Sequence, residues 1–329
     1  MSIIREKKYN SFIYKNKQSK KKITDSNTIN RIKSLRIPPA YKNVFISLDP
    51  NSKIQATGID TKKRKQYIYN KTHVEKQSKL KFQDLIIFGK KIKRIRKDIN
   101  NNIYKCSKNP RLLTDKNTII SIVLYLIDYC NFRVGSIKYK NLYNTYGVTT
   151  LNKDKFKFDK NSVYIEFIGK KGITNKSKIT NKSVYNILQR LCNYNFDFVF
   201  YYTDDKNNMF RITEKHINDY LKKYNKNITV KMFRTWNSNY ILLKELLKYN
   251  LPNTDSEAKK NISVAIKKAA EKLHHSSTVS KKSYMNSELV DLYLNNTNKF
   301  VRLIEFFRKT NGNLPSISRL LNLILKMIN

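Results

Sequence analysis

The chain is poor in acidic residues, with 24 aspartates and glutamates against 67 lysines and arginines in 329 residues. The resulting net charge of +43 at pH 7 favours a polyanionic partner, and nucleic acid is the simplest one. The richness in Lys, Asn, Ile and Tyr is also what A/T-rich coding DNA produces. Charge alone therefore does not establish the partner.

Cysteine is scarce as well, and the three cysteines are scattered without a C-x-x-C pair. This spacing argues against a disulfide framework and a zinc site, and it is typical of a reducing compartment. The first residues lack the apolar stretch of a secretory signal, and the longest apolar run, 119–127, is too short to cross a bilayer. We therefore expect a soluble intracellular protein.

Two further absences narrow the classes of enzyme. The chain has no G-x-x-x-x-G-K-[ST] loop, which argues against an ATP-driven motor. It also has no acidic cluster with metal-ligand spacing, which argues against a metal-dependent nuclease. We expect neither a metal nor a small-molecule cofactor.

The N-terminal part is predicted to be a small, mostly β, basic domain. A helix is expected over 28–36, a strand over 44–48 and a hairpin over 53–69 with its turn at 60–63. Residues 1–27 favour a short strand or two without a clear core.

The predicted hairpin carries three candidates for DNA contact, Gln66, Tyr67 and Tyr69. Glutamine can read adenine edges in the major groove, and tyrosine can bond to phosphate or pack on sugar. An exposed strand face with ordinary aromatic residues explains the pattern equally well.

The remainder of the chain is predicted to be mainly helical. The polar segment 73–79 predicts a linker, so we expect an α+β protein with domains at 1–77 and 78–329. The segment 118–132 is apolar nearly all round and is predicted to be the buried centre of the second domain, with Gly135 as its C-cap. Strands are expected over 147–151, 155–158 and 163–168, and helices over 82–99, 184–192, 212–224, 230–249, 261–273, 285–294, 300–307 and 317–328.

One tyrosine stands out from the 22 in the chain because of its surroundings. Tyr284 ends the basic, hydroxyl-rich run H-S-S-T-V-S-K-K-S-Y that begins at His275, and it lies between two predicted helices. We expect it on or beside a short connector, presented to solvent. Taken alone, any one tyrosine is more readily explained by packing.

Three basic residues at the ends of predicted elements complete a set with a chemical purpose. Arg133 follows the buried helix, Lys170 lies at the tip of a strand and turn, and Arg234 stands in K-M-F-R-T-W. Each alone fits a solvated charge. Together with His275 and Tyr284, they match the needs of phosphodiester transfer to a tyrosine.

The chemistry needs each residue type. The pentacoordinate phosphorus gains negative charge on its non-bridging oxygens, which two guanidiniums and a histidine can bind. The 5′-oxygen is a poor leaving group, and a lysine can donate the proton that it needs. Neighbouring cations also ease loss of the tyrosine proton.

The chain resembles a type IB DNA topoisomerase of the compact poxvirus kind, which has bacterial and giant-virus relatives. The resemblance covers nearly all of the chain after residue 30. Six motifs carry it in the order of the family: L-R-I-P-P-A-Y, I-Q-A-T-G-I-D-T-K-K-R-K-Q-Y-I-Y, F-R-V-G-S-I-K-Y, I-E-F-I-G-K-K, K-M-F-R-T-W-N-S-N-Y and H-S-S-T-V-S-K-K-S-Y-M.

The resemblance implies a role for each residue of the set. Tyr284 is the nucleophile and keeps a 3′-phosphotyrosyl bond, Arg133, Arg234 and His275 stabilise the transition state, and Lys170 is the general acid. It also implies that three hairpin residues dock in the major groove and that four others support the active site or hold phosphates: Gln66, Tyr67 and Tyr69, and Lys138, Tyr139, Lys231 and Asn239.

Two positions depart from the family pattern. Lys171 stands where poxvirus enzymes carry an acid after the catalytic lysine, and Ser136 stands where a lysine is usual. Both departures bear on DNA contacts or on rate rather than on the chemical roles.

The resemblance further implies relaxation of supercoiled duplex DNA by strand cleavage, swivelling and religation, without ATP or metal. We expect a monomer whose two domains hold duplex DNA between them. The A/T-rich signature and the compact length favour a viral source, with an insect poxvirus among the candidates, and hence a place in virions and host cytoplasm. A bacterial source, with the protein in the cytoplasm or nucleoid, remains open.

Two alternative functions remain at this point. A tyrosine recombinase shares the chemistry and the helical catalytic fold, but such enzymes usually show H-x-x-R where this chain has Lys231-x-x-Arg234. A non-catalytic DNA-packaging protein would explain the charge but not the ordered motifs.

Overall fold

A computed structural model describes residues 2–9, 11–194, 196–249, 252–310 and 315–328 of the chain. The chain divides into two units, Met1–Lys81 and Phe82–Asn329. The first is mostly β and the second is mostly helical, so the predicted α+β class is confirmed. Within the described ranges, no helix is both long enough and apolar enough to cross a membrane.

The first unit is built on one antiparallel sheet. Its elements are β1 Ser2–Lys8, β2 Ser11–Asn16, α1 Ser26–Ser34, β3 Lys42–Ser47, β4 Ile54–Ile59 and β5 Lys65–Tyr69. The strands lie in the order β2-β1-β3-β4-β5, so β5 is an edge strand.

One face of this sheet supplies the core of the first unit. Ile3 pairs with Ile46, Ile46 with Ala56, and Ala56 with Ile68, which puts all four side chains on one face. Ile32 of α1 packs against that face. No clear core was predicted for the N-terminal segment. Its strand β1 nevertheless contributes a fully buried residue, Ile3, although most other residues of that strand are polar.

The double proline of L-R-I-P-P-A-Y is held in place by an arginine from β1. The guanidinium of Arg5 donates to the carbonyls of Ile37, Pro38 and Tyr41 at 3.1, 2.9 and 2.8 Å. Prolines have no N–H, so this segment cannot bond as a strand, and its carbonyls need another donor.

The second unit contains two small sheets among its helices. Strands β6 Phe156–Asp159, β7 Ser162–Ile168 and β8 Thr174–Ile179 form one, and β9 Tyr201–Thr203 pairs with β10 Met209–Arg211. The helices are α2 Lys71–Lys108, which begins in the first unit, α3 Lys116–Tyr129, α4 Ile137–Tyr143, α5 Lys182–Cys192, α6 Glu214–Leu221, α7 Lys231–Leu246, α8 Asp255–Lys272, α9 Ser277–Ser283, α10 Ser287–Asn295, α11 Thr297–Thr310 and α12 Ile317–Ile328.

Helix α3 is the buried centre that its composition predicted, since nine of its residues are buried. It ends at Tyr129, however, and Cys130 is its C-cap, so the prediction of Gly135 as the cap was wrong. Gly135 has a φ of 104° and serves a different purpose, a close backbone contact in the candidate active site.

Two other predictions were corrected by local structure. The polar segment 73–79 is helical and lies in the first turns of α2, because no glycine or proline interrupts the chain there. The strand expected over 147–151 is a 3₁₀ turn, Val148–Thr150. There the Thr150 hydroxyl bonds to both the N–H and the carbonyl of Gly147 at 3.0 Å, which closes the turn locally.

Candidate active site

Helix α7 carries three buried polar side chains of the site. Its first turns are anchored in the core by Phe233 and Trp236, both fully buried, and Phe88 of α2 meets their rings edge-on at 5.0 and 6.1 Å between centroids. Arg234 is therefore only 4% exposed, and Asn237 and Asn239 are 7% and 0% exposed. Arginine is almost never so buried without partners, which marks this stretch as specialised.

The residues that end α8 hold both candidate arginines. Arg234 Nη2 donates to the carbonyl of Leu273 at 2.7 Å, and Arg133 Nη1 makes a long contact of 3.5 Å with the carbonyl of His274. His274 has a left-handed φ of 52°, which ends the helix and brings the next residue, His275, into the site. Three consecutive residues thus set the positions of two guanidiniums and one imidazole.

Tyr284 follows α9, and its backbone is hydrogen-bonded to the side chain of Asn239 of α7. The amide nitrogen of Asn239 donates to the Tyr284 carbonyl at 2.9 Å and to the Thr235 carbonyl at 2.8 Å. The amide oxygen of Asn239 accepts from the N–H of Asn286 at 2.8 Å. Asn239 therefore fixes the chain at the carbonyl of Tyr284 and two residues further on, and its side chain is buried rather than on an exposed surface.

The side chain of Tyr284 is half-buried rather than presented to solvent. It stacks on the His275 ring with centroids 4.8 Å apart and an interplanar angle of 13°. The Arg234 guanidinium carbon lies 5.4 Å from the Tyr284 centroid. Tyr284 is the C-cap of α9 and lies on the short connector before α10, as predicted, but the expectation that it is presented to solvent was wrong, because its side chain is half-buried.

The two arginines change the acidity of their neighbours. Burial would raise the pKa of the Tyr284 phenol, but the charges of Arg234 and Arg133 lower it below its ordinary value. Burial, and then the same two charges, lower the pKa of His275 to about 4. Burial also lowers the pKa of Arg234 to about 10. At neutral pH His275 is therefore neutral, and Arg234 is charged.

Several donors around Tyr284 have no acceptor. Arg234 Nε and Arg234 Nη1 are buried donors that have no hydrogen-bond partner among the described residues. His275 Nε2 is also buried without a partner there, and it is a donor in the tautomer of the neutral ring that carries its proton on Nε2. A buried donor without an acceptor is unfavourable by about 1–3 kcal/mol, and by more for a charged group. The arrangement therefore suits an anion that supplies the acceptors, such as a phosphodiester.

Arg133 lies on an extended segment that is held by a tight backbone contact. The N–H of Val148 donates to the carbonyl of Arg133 at 2.8 Å. A side chain at Gly147 would lie 2.4 Å from the backbone nitrogen of Gly135, so this approach requires glycine. The segment F-R-V-G-S is therefore held against the 3₁₀ turn, and Gly135 is the residue whose backbone contacts Gly147.

A buried polar network fixes the start of the same segment. The amide nitrogen of Asn237 donates to Asn131 Oδ1 at 2.9 Å and to the Asp128 carbonyl at 2.8 Å. Arg96 of α2 forms a bidentate ion pair with Asp128 at 2.7 and 2.9 Å. Asn131 has a left-handed φ of 55° and lies two residues before Arg133. Helix α7 thus carries Arg234 and also anchors the segment that carries Arg133.

Lys170 lies at the exposed tip of the β7–β8 hairpin, as predicted. A side chain at Gly169 would lie 2.3 Å from the side-chain amide nitrogen of Asn175, so any residue but glycine before the lysine would displace Asn175. Lys171, the first departure from the family pattern, has a left-handed φ of 67°. Within the described chain, no hydrogen bond or ion pair joins Lys170 to the other four candidate residues.

The base of this hairpin is nevertheless packed against the site. The Phe132 ring, next to Arg133, contacts the Phe167 ring at 4.8 Å and the His274 ring at 5.5 Å between centroids. The Ile168 carbonyl also accepts from the N–H of Tyr146 at 2.8 Å. The strand that leads to Lys170 is therefore fixed relative to the arginines, whereas Lys170 itself is exposed at the tip.

The other basic candidates of the second unit lie on its surface. Lys138 and Tyr139 are exposed on α4, where Tyr139 stacks on Tyr143 with centroids 6.0 Å apart. Lys231 is exposed at the start of α7 and pairs with Glu214 at 3.1 Å. Ser136, the second departure, is the N-cap of α4 and makes no side-chain capping bond.

The three hairpin candidates of the first unit do not share one face of β5. Tyr67 and Tyr69 are 45% and 42% exposed, and their rings stack with centroids 6.3 Å apart. Gln66 lies on the opposite face with Ile68, and its amide donates to Asp60 at 2.9 Å. The alternation along a strand makes this unavoidable for neighbouring residues.

Sequence reasoning missed the residues that position the site. Asn131, Asn237 and Asn286 carry no reactive group, and their partners are distant in the chain. The one signal was the cluster N-S-N after R-T-W, because asparagines inside a helix are unfavourable unless their amides are used.

Two family models match the sequence of the chain. The family model described as "Eukaryotic DNA topoisomerase I, catalytic core" matches residues 62–305, which is well over half of the chain. The model described as "Bacterial DNA topoisomerase IB, N-terminal domain" matches residues 11–60.

Individual relatives point the same way. The DNA topoisomerase 1B of Acanthamoeba polyphaga mimivirus is 34% identical over 307 residues, which is 91% of this chain and 89% of that protein. The DNA topoisomerase 1B of Vaccinia virus (strain Copenhagen) is 26% identical over 71% of each chain. The DNA topoisomerase 1 of Rabbit fibroma virus (strain Kasza) is 24% identical over 83% of each chain. The chain therefore belongs to the type IB DNA topoisomerases, and DNA is its substrate.

Proposed function

We propose that Tyr284 is the nucleophile with which this topoisomerase cleaves one strand of duplex DNA. The phenol oxygen forms a bond to the phosphorus, the bond from phosphorus to the 5′-oxygen breaks, and the DNA keeps a 3′-phosphotyrosyl ester. The broken strand swivels around its partner until torsional stress is relieved. Attack by the freed 5′-hydroxyl reverses the step, so the bond energy is conserved and the chemistry needs no ATP.

The observation that carries this proposal is the set of unsatisfied donors around the Tyr284 ring. Arg234 Nε and Arg234 Nη1 are buried without acceptors in the described residues, and so is His275 Nε2 in the tautomer that carries the ring proton there. A phosphodiester bound beside the ring would supply those acceptors, and the pentacoordinate state, which carries more charge, would bind them more strongly. Arg133 shares this role, because its charge lowers the pKa of the same phenol.

The proton balance assigns separate groups to the two oxygens. The phenol proton of Tyr284 passes to solvent water, which can reach the half-buried side chain, as the phenol oxygen attacks, and its loss is eased by the two arginines that lower the pKa of the phenol. Lys170 gives a proton to the departing 5′-oxygen. Its exposed place at a hairpin tip allows it to contact bound DNA, and the packed base of the hairpin limits where it can reach.

Surface residues are proposed to hold the duplex. Tyr67 and Tyr69 expose a stacked pair of rings on β5, and Lys138, Tyr139 and Lys231 expose charge and a ring near the start of α4 and α7. We propose that each of the two units contacts one side of the duplex and that the protein acts as a monomer. Gln66 would have to leave Asp60 to read a base, whereas the tyrosines need no rearrangement.

Relaxation of supercoiled plasmid in EDTA without ATP tests the proposal. The native protein should relax the plasmid and yield a covalent adduct on addition of SDS, and Tyr284→Phe should do neither. Tyr129→Phe is the matched control, because that tyrosine is 56% exposed on α3 and lies outside the site. Relaxation by Tyr284→Phe would show that another residue is the nucleophile.

A further inference from the structure

A second group of basic residues borders the candidate active site and has no assigned role. Lys140 of α4, Lys155 of a 3₁₀ turn and Arg211 of β10 gather around the rings of Tyr146 and Phe198, and we call these five residues the Tyr146–Phe198 cluster. Lys140 Nζ lies 4.5 Å from the Phe198 centroid and 5.9 Å from that of Tyr146. Lys155 Nζ lies 4.9 Å from the Tyr146 centroid, and Arg211 Cζ lies 5.4 Å from that of Phe198.

The positive charge of this cluster is only partly neutralised. Asp154 pairs with Lys155 at 2.6 Å, and the Arg211 guanidinium donates to the carbonyls of Thr149 and Ile212 at 3.3 and 3.2 Å. In the described part of the chain, Lys140 makes no hydrogen bond or ion pair. Like charges held near one another repel, and a bound anion would remove that repulsion.

The cluster is joined to the candidate active site from two directions. The N–H of Tyr146 donates to the carbonyl of Ile168, two residues before Lys170. Thr149, which accepts from Arg211, donates its own N–H to the carbonyl of Val134 at 2.7 Å, next to Arg133. A ligand of the cluster would therefore lie beside the phosphodiester that Arg133 and Lys170 are proposed to contact.

The contacts also indicate what kind of anion fits. Cations approach both rings, so those ring positions are engaged and a base is not expected to stack there. Amines and a guanidinium with few acceptors suit the oxygens of a phosphate. All five residues of the cluster are partly open to solvent, so a backbone phosphate can reach the charges.

We propose that the Tyr146–Phe198 cluster binds a backbone phosphate of the DNA duplex next to the one that is cleaved. The proposal rests on the proposed function, because the position of the cleaved phosphate is set by Tyr284 and the arginines. Lys140 is the principal contact. Burial lowers the pKa of the Arg211 guanidinium, an effect that a neighbouring phosphate would oppose.

The test measures binding without catalysis. In a Tyr284→Phe background, the affinity for a short duplex is measured as a function of KCl concentration, with and without Lys140→Gln. Loss of one phosphate contact should lower the slope of log K against log [KCl] by about 0.9 and weaken binding about five-fold at 0.15 M salt. Lys140→Arg should restore both values.

The chain offers a matched control in Lys223. Its Nζ lies 3.6 Å from the Tyr220 centroid and 5.0 Å from that of Tyr224, so Lys223→Gln removes one charge and a similar cation–π contact away from the cluster. Its slope should equal that of the parent. A native slope for Lys140→Gln, or an equal change in Lys223→Gln, would overturn the proposal. Lys155→Gln is a poorer variant, because it would leave Asp154 unpaired.

A second measurement keeps the proposal testable if Lys140→Gln does not fold. Single phosphates of the duplex are replaced by neutral methylphosphonates, and binding is compared between the parent and Lys140→Met. One position next to the cleavage site should weaken binding to the parent and have no further effect on the variant. Equal losses in both proteins at every position would contradict the proposal. Neither readout needs strand cleavage, so failure of the proposed function would be seen separately, in the relaxation assay.

Discussion

The anchor of the Arg133 segment provides a strong test of how the site is positioned. Asn237 is on α7, one turn after Arg234, and its amide holds Asn131, two residues before Arg133. Asn237→Ala removes this connection without touching any group proposed to contact DNA. We expect the variant to fold, to bind DNA normally and to cleave slowly.

The magnitude follows from the bonds that are lost. The Asn237 amide donates to Asn131 Oδ1 at 2.9 Å and to the Asp128 carbonyl at 2.8 Å. The same nitrogen lies 3.2 Å from Asp128 Oδ1, and with the buried Asn131 oxygen and the partly buried Asp128 carbonyl left without this donor, we expect the free energy of unfolding to fall by about 3 kcal/mol. Asn131 is also held in a left-handed conformation that is unfavourable by about 1 kcal/mol and relaxes once the anchor is lost. A shift of Arg133 by about 1 Å would slow cleavage roughly 100-fold.

Single-turnover cleavage of a duplex oligonucleotide measures the effect, and a double-mutant cycle shows its route. If Asn237 acts through Arg133, then Asn237→Ala should have almost no further effect in an Arg133→Ala background. A full additional loss there would show that the effect passes through Arg234 instead, and the reasoning would be refuted.

A matched variant separates positioning from general destabilisation. The Asn102 amide of α2 donates to the Ser121 hydroxyl at 2.9 Å and the Tyr220 hydroxyl at 3.3 Å, a comparable loss without a connection to Asn131. Asn102→Ala should lower stability and leave the cleavage rate unchanged. An equal decrease in cleavage by both variants would also refute the positioning role.

Three further outcomes follow from the site. Burial and the two arginines lower the pKa of His275 to about 4, so protonation favours the unfolded chain, and between pH 7 and pH 5 this group should remove about 2 kcal/mol of stability. Urea unfolding at both pH values should show that loss in the native protein and a smaller one in His275→Asn; equal losses would contradict the cause. Arg133→Gln should raise the pKa of Tyr284, so the pH profile of cleavage should move upward, and an unchanged profile would argue against the arginine charge. Lys170→Ala should slow cleavage of ordinary DNA by about 10²–10⁴-fold. It should have little effect when sulfur replaces the bridging 5′-oxygen, because a thiolate leaves without a proton. An equal loss on both substrates would exclude Lys170 as the acid.

The periodic parts of the fold could be predicted from the sequence. Helix α12 was predicted with its observed limits, and α3, α5 and α7 within a few residues, because each buries a long apolar face. Helices α4 and α9 were missed for the opposite reason. Each has seven residues, α4 buries none of them and α9 buries only Ser280, so neither shows a periodic pattern.

The chemistry of the site was also easier to predict than its support. Reactive residue types at the ends of predicted elements made Arg133, Arg234, His275 and Tyr284 candidates, and the structure brings these four together, while their catalytic roles stay a prediction. The network that holds them could not be predicted. The partner of Asn237 is Asn131, which is 106 residues away in the sequence and has a left-handed backbone conformation. Such contacts are set by tertiary packing and leave no local pattern.

The charges and unsatisfied donors of the site suit the pentacoordinate phosphorus better than the phosphodiester substrate, because the former carries more negative charge. Burial lowers the pKa of Arg234 and of His275, which means that the fold disfavours added positive charge there, and several donors have no acceptor among the described residues. A bound phosphodiester with a single charge would relieve part of this cost. The pentacoordinate state brings additional negative charge to the same oxygens and would relieve more of this cost. The site would therefore stabilise the transition state more than the bound substrate. The rigid support from α7 is necessary for that gain, because donors free to turn toward water would lose it.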